Sequence, residues 1–249
     1  MTDQLETDNE SAWWAGPRFL VSAVLVALLA VLGLVLWLWS DGDEQPQSQP
    51  TPAATPEAVS GSESVCGLDA TGGTTLTKAP KDVQWTALGA IYAPESKKHG
   101  PGTVDPATGV RSCYSHTPEG ALLTTTNMLA ASGNTELLLA TTRELGLAGP
   151  GKEVAIGGLQ KAVAQGDNSS VPVQIAGFRL LSYTEDKATV EVVAAADDGS
   201  EKIYITTAGD LVWQDGDWRF VFKDDGSGGP VSGRVSDLTG YITWGPHDG

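Results

Sequence analysis

Basic side chains are scarce in this sequence. Its 249 residues hold 15 Lys and Arg against 31 Asp and Glu, a formal charge of −16, and none of the basic residues lies between Arg18 and Lys78. A surface of that sign repels nucleic acid and anionic lipid headgroups, so nucleic acid is not an expected partner. Metal-ligating side chains are equally sparse. The three histidines, His99, His116 and His247, and the two cysteines, Cys66 and Cys113, form no HExxH, no CxxC and no pair at ligand spacing. His99 falls in the loop-like ESKKHGPG, His116 just before a helix start, and His247 in the final residues. No GxSxG nucleophile elbow occurs. Neither a cofactor, a metal nor a catalytic residue is expected.

One stretch imitates a phosphate-binding loop. Gly146-Leu147-Ala148-Gly149-Pro150-Gly151-Lys152 has the right spacing, but Glu153 follows where Ser or Thr must hold magnesium. The preceding TELLLATTREL reads as a helix rather than the strand that motif requires. The stretch is read as a glycine-rich connection between helices.

What the chain does have is one long apolar run. Phe19 to Trp39 holds about 21 residues without a charge, with Ser22 as its one polar side chain. At 1.5 Å per residue it spans roughly 31 Å, the thickness of a bilayer core. Trp13 and Trp14 before it and Trp37 and Trp39 at its end suit the two interfaces, and Arg18 flanks the N-terminal side. A cleaved signal peptide is the competing reading; it calls for a shorter run and small residues after it, whereas LWLWSDGDEQ follows here. The expected layout is a cytoplasmic tail over 1–17, a membrane helix over 18–40 and everything beyond it outside the cell. That outer part carries 14 Lys and Arg against 27 Asp and Glu, a formal charge of −13.

Residues 41–65 are rich in Pro, Ser, Gln and Glu and too poor in apolar side chains to offset ordering entropy, so they read as a disordered stalk. The globular domain is expected over 66–245, about 180 residues, enough for one core, with a short tail at 246–249. Both cysteines fall in it. In an oxidising compartment a Cys66–Cys113 disulfide is the expectation, two free thiols the alternative.

Helical signals precede strand signals in this domain. Val83 to Ala93 and Val110 to Ser115 read as strands. Thr117-Pro118-Glu119 then supplies an N-cap, a first helical residue and an acid for the positive helix end, predicting a helix to about Ser132. Asn134 caps a second helix that stops at Gly146, and a third runs from Glu153 to Gln165, interrupted at Gly157-Gly158. From Val173 the period becomes two. Val173 to Tyr183, Ala188 to Ala196, Lys202 to Trp213 and Trp218 to Phe222 are joined by short turns, which predicts an antiparallel meander. The class is α+β, helices packed on one face of a curved sheet. In the last hairpin Trp218, Phe220 and Phe222 share the core face, while Asp215, Gly216 and Asp217 form the tip.

Several strings carry a resemblance. They are Ala79-Pro80 with Val83 and Trp85, Gly89 and Pro94, Gly100-Pro101, and His116-Thr117-Pro118 with Gly120-Ala121-Leu122-Leu123. Ala176-Gly177-Phe178-Arg179, Trp213-x-Asp215-Gly216-Asp217-Trp218-Arg219 and Gly240-Tyr241-x-x-Trp244-Gly245 complete the set. Over Cys66 to Gly245 the chain resembles a family of uncharacterised actinobacterial single-pass membrane proteins associated with integrative conjugative elements. The layout is more distantly similar to bitopic scaffold subunits of type IV secretion channels. That resemblance implies a cone-shaped, nuclear transport factor two-like fold and a non-enzymatic role in a conjugation-like envelope complex. Its partners would be the membrane, other envelope proteins and further copies of the chain. A small-ligand-binding or enzymatic domain of the same cone fold is the alternative. An extracellular sensor is a third reading, weakened by the lack of a cytoplasmic output domain.

Overall fold

The computed structural model describes residues 59–60, 63–167, 173–197, 202–228 and 233–246. The membrane helix expected over 18–40, its flanking Trp13, Trp14, Arg18, Trp37 and Trp39, and His247 lie outside the described residues. Among the described residues no helix is long and apolar enough to cross a membrane.

The fold is α+β. Strands β7 (Gln174–Tyr183), β8 (Lys187–Asp197), β9 (Lys202–Gln214) and β10 (Asp217–Phe220) form a consecutive antiparallel meander. Strand β12 (Ile242–Thr243) adds to the outer edge of β7, and β11 (Gly233–Val235) pairs with β9. Upstream lie three two-stranded ladders: β1 (Val59–Ser60) with β2 (Thr71–Gly72), β3 (Gln84–Leu88) with β4 (Ile91–Glu95), and β5 (Thr103–Val104) with β6 (Arg111–Ser112). Three helices, α1 (Pro118–Ala131), α2 (Thr135–Leu145) and α3 (Pro150–Ala164), stand between the ladders and the meander in sequence.

Helix α1 is nearly all buried, although it carries Thr124, Thr125 and Thr126 in succession. Each hydroxyl donates to the carbonyl four residues back, on Gly120, Ala121 and Leu122, at 2.8, 3.0 and 2.8 Å. Satisfied in this way, the polar atoms add little cost to burial. Thr117 caps the helix by accepting from Gly120 N at 3.1 Å. Gly120 is required there, because a Cβ would overlap Ser115 O. Ala121, Leu122 and Leu123 pack against Phe178, Val190, Val192, Leu211, Trp218 and Trp244 from the sheet side.

Three local expectations are corrected. Val83 to Ala93 is two strands, because Gly89 takes a φ of 65° and turns the chain back so that Leu88 pairs with Ile91. The strand near Val110 shrinks to Arg111–Ser112, since Cys113 adopts a left-handed φ of 63°. Helix α3 begins earlier, with Pro150 in its first turn, and runs unbroken through Gly157-Gly158.

Candidate functional site

Helix α3 is rich in apolar residues, yet Gly151 is its one buried residue. Its first turn comes against the chain after Phe220 backbone to backbone. A Cβ at Gly151 would overlap the carbonyls of Phe222 and Lys223, so only glycine allows the helix to sit against that loop. Lys152 Nζ donates to Arg143 O at 2.7 Å and Gly146 O at 2.9 Å, closing the C-terminal end of α2 with a cation where the dipole favours one.

Beneath α3 lies a cleft of about 480 Å³, bounded also by α1, α2, β9, β10 and the loop after Phe220. Its walls are largely apolar: Met128, Leu138, Leu159, Phe220 and Phe222 contribute, with Val154 at the rim. Three polar side chains belong to it: Thr142, Thr207 and Asp225. Thr142 lines the wall at 1 % exposure, and its Oγ1 has no hydrogen-bond partner. Asp225 stands at the mouth, where Ser227 Oγ and Ser227 N donate to its Oδ1 at 2.6 and 2.9 Å and hold its carboxyl below the usual range.

A second assembly has the residue types of a nucleophile–base–acid set. His99 Nδ1 lies 3.1 Å from Ser115 Oγ and 3.3 Å from Thr117 Oγ1, and His99 Nε2 lies 4.0 Å from Asp82 Oδ2. Burial lowers the His99 pKa below its ordinary 6.5, against the carboxylates of Glu119 and Asp82 that raise it. Ser115, however, is 0 % exposed, and its hydroxyl also pairs with Thr117 Oγ1 at 2.7 Å. A substrate carbonyl has no way to it. Asp82 instead accepts from Ser96 Oγ at 3.0 Å, and Ser96 Oγ accepts from His99 N at 3.2 Å. The set is a closed network that fixes the start of α1.

The hairpin tip divides into two roles. Asp215, at φ 54°, and Gly216, at φ 71°, make the tight turn. Asp217 is not a tip acid as expected from its neighbours; it is 2 % exposed and accepts from the backbone N–H groups of Cys113, Tyr114 and Trp218. Turn composition was the wrong guide there, because the turn brings the first residue of β10 back over the Cys113 segment. Cys113 and Cys66 form a disulfide, with Cα atoms 6.1 Å apart.

Residues 45–243 match the family described as Domain of unknown function (DUF8175). The chain belongs to that family. No curated protein and no solved structure matches it. In this DUF8175 chain, His116 is packed rather than poised: its ring stacks on Trp213 at 3.9 Å and meets Trp218 edge-on at 5.5 Å, with Nε2 against Glu185 O. Among the described residues no group of His, Cys, Asp and Glu stands ready for a metal ion. Sequence reasoning missed Thr142 and the cleft. The available signal was α3 itself, where Ile156, Leu159 and Val163 share one face away from the exposed Glu153, Gln160 and Lys161, while Val154 is apolar on the exposed side.

Proposed function

We propose that this chain is a membrane-anchored extracytoplasmic domain that works by binding rather than by bond chemistry, as an accessory or scaffold component of a conjugation-like, type IV secretion-like envelope complex. A cone-shaped, nuclear transport factor two-like arrangement of helices on sheet belongs to the same proposal. The observation that carries the binding reading is α3. Only Gly151 of α3 is fully buried, Ile156, Leu159 and Val163 are half-buried and Val154 is 49 % exposed, which offers surface that association would remove from water. The conjugative assignment is supported by the resemblance of the sequence strings given above. A small-ligand-binding domain is the second reading, favoured by the cleft under that helix.

A photoreactive amino acid at Val154 of the full chain, irradiated in cells, tests the first reading. Adducts with one defined envelope protein or a second copy are expected, with none from the same group at Leu181, a 46 % exposed position on β7. Silence at Val154 would refute α3 as the binding face. Protease added to wall-free cells should remove the domain; its survival would place it inside.

A further inference from the structure

Resting on the reading that this domain acts by binding, we propose that the cleft under α3 is a site for an uncharged lipophile bearing a single oxygen, such as a medium-chain alcohol, with Thr142 Oγ1 as its hydrogen-bond partner.

Three observations select that class. A cleft of about 480 Å³ lies inside the roughly 300–1,000 Å³ typical of small-molecule sites. Its apolar walls would strip the hydration shell from an ion without replacing it. The Asp225 carboxylate at the mouth, kept ionised by its two Ser227 donors, repels an anionic headgroup. Of the two cations beside α3's first turn, Lys152 is already engaged with Arg143 O and Gly146 O, and Lys223, whose carbonyl meets Gly151, is exposed and acts on the Asp225 carboxylate. That leaves hydroxyls, and of the two threonines on the cleft wall, Thr142 and Thr207, Thr142 is the buried one. A buried hydroxyl without a partner is uncommon, and in a helix its default is the carbonyl one turn back, as three threonines of α1 show. Thr142 makes no such bond. It can donate to or accept from one ligand oxygen.

The roof of the site can be altered without harming the fold. Gly157 and Gly158 are adjacent in α3, and at both a Cβ would meet no atom within 4 Å. Only Gly158 of the two lines the cleft. Leucine at either position raises helix propensity equally, but only at Gly158 does it fill the cavity.

The test uses the full chain in mild detergent with a decanol that carries a diazirine, followed by peptide mapping of the adducts. Saturable labelling is expected within residues 128–159, 207–208 and 220–228, displaced by decanol and not by decanoate. Gly158→Leu should abolish it with no loss of melting temperature, while Gly157→Leu should retain it. Thr142→Val should weaken competition by decanol about two- to tenfold, the net worth of one hydrogen bond, and leave competition by decane unchanged. Equal labelling in Gly158→Leu, labelling that does not saturate, or decanoate competing as well as decanol would each overturn the proposal. If Val154 still cross-links a partner in cells while the alcohol fails to bind, the ligand falls and the binding face stands.

Discussion

Asp217 Oδ2 accepts the N–H of Cys113 at 2.7 Å across 104 positions of the chain. The partner oxygen Oδ1 accepts Tyr114 N and Trp218 N, each at 2.9 Å. One carboxylate thereby holds a left-handed residue, its disulfide and the start of β10 together. Burial pushes the Asp217 pKa up, and the three N–H donors pull it back only in part.

The folded state therefore binds the Asp217 proton more readily than the unfolded chain does. Its linkage contribution is fully present below the ordinary carboxylate value and is lost as pH rises through the folded pKa. Asp217→Asn, which replaces one acceptor oxygen with a donor, should cost about 2–3 kcal/mol at neutral pH. In urea melts between about pH 7 and about pH 4, the gap between wild type and Asp217→Asn should widen on acidification. A gap that narrowed would mean the donors outweigh burial.

Replacing Cys66 and Cys113 together by serine opens a loop whose ends are 47 positions apart. The chain-entropy relation gives a loss of about 4 kcal/mol. Denaturant midpoints of the oxidised and double-serine proteins measure it, and mass spectrometry of the unreduced protein should find no free thiol.

Trp218 is 0 % exposed and donates Nε1–H to Ser115 O at 3.0 Å. Trp218→Ala should destabilise the domain by about 3–5 kcal/mol. Asp215 is an exposed turn residue, and Asn-Gly favours the same turn, so Asp215→Asn should change stability by no more than about 0.5 kcal/mol. Paired urea melts decide it; loss of Val154 cross-linking in a stable Asp215→Asn chain would give this acid a role the turn does not explain.

His99 has the opposite pH sign from Asp217. Its folded pKa lies below the ordinary 6.5, so its contribution is complete above that value and is lost as pH falls toward the folded pKa. Thermal melts should show wild type losing stability between about pH 7 and about pH 5, and His99→Gln should flatten that dependence. An unchanged slope in the variant would assign the loss to other groups.

Much of the fold was legible because its signals are local. Thr117-Pro118-Glu119, Asn134 and Asp215-Gly216 each fix a helix start or a turn through atoms a few residues away. The period-two runs from Val173 onward specify the meander for the same reason. What stayed hidden depends on distant partners. Asp217 sits among turn residues in sequence and is buried because Cys113 and Tyr114 arrive from 104 and 103 positions away. Thr142 looks like any threonine in TELLLATTREL. Only the placement of α3, allowed by a bare Gly151 backbone, makes a cleft wall of it. The Asp82, Ser96, His99 and Ser115 network likewise exists only once two loops meet.

Where the chain enters the domain has a mechanical consequence. Val65 N donates to Gly216 O at 2.9 Å, and the next residue is already cross-linked to Cys113. A pull from the N-terminal side first peels the two-residue β1–β2 ladder and then meets a covalent bond. Tension passes through that bond straight to Cys113, leaving residues 67–112 as slack outside the line of force. The load reaches the meander beside its hairpin turn, so traction from that side would leave the long strands zipped.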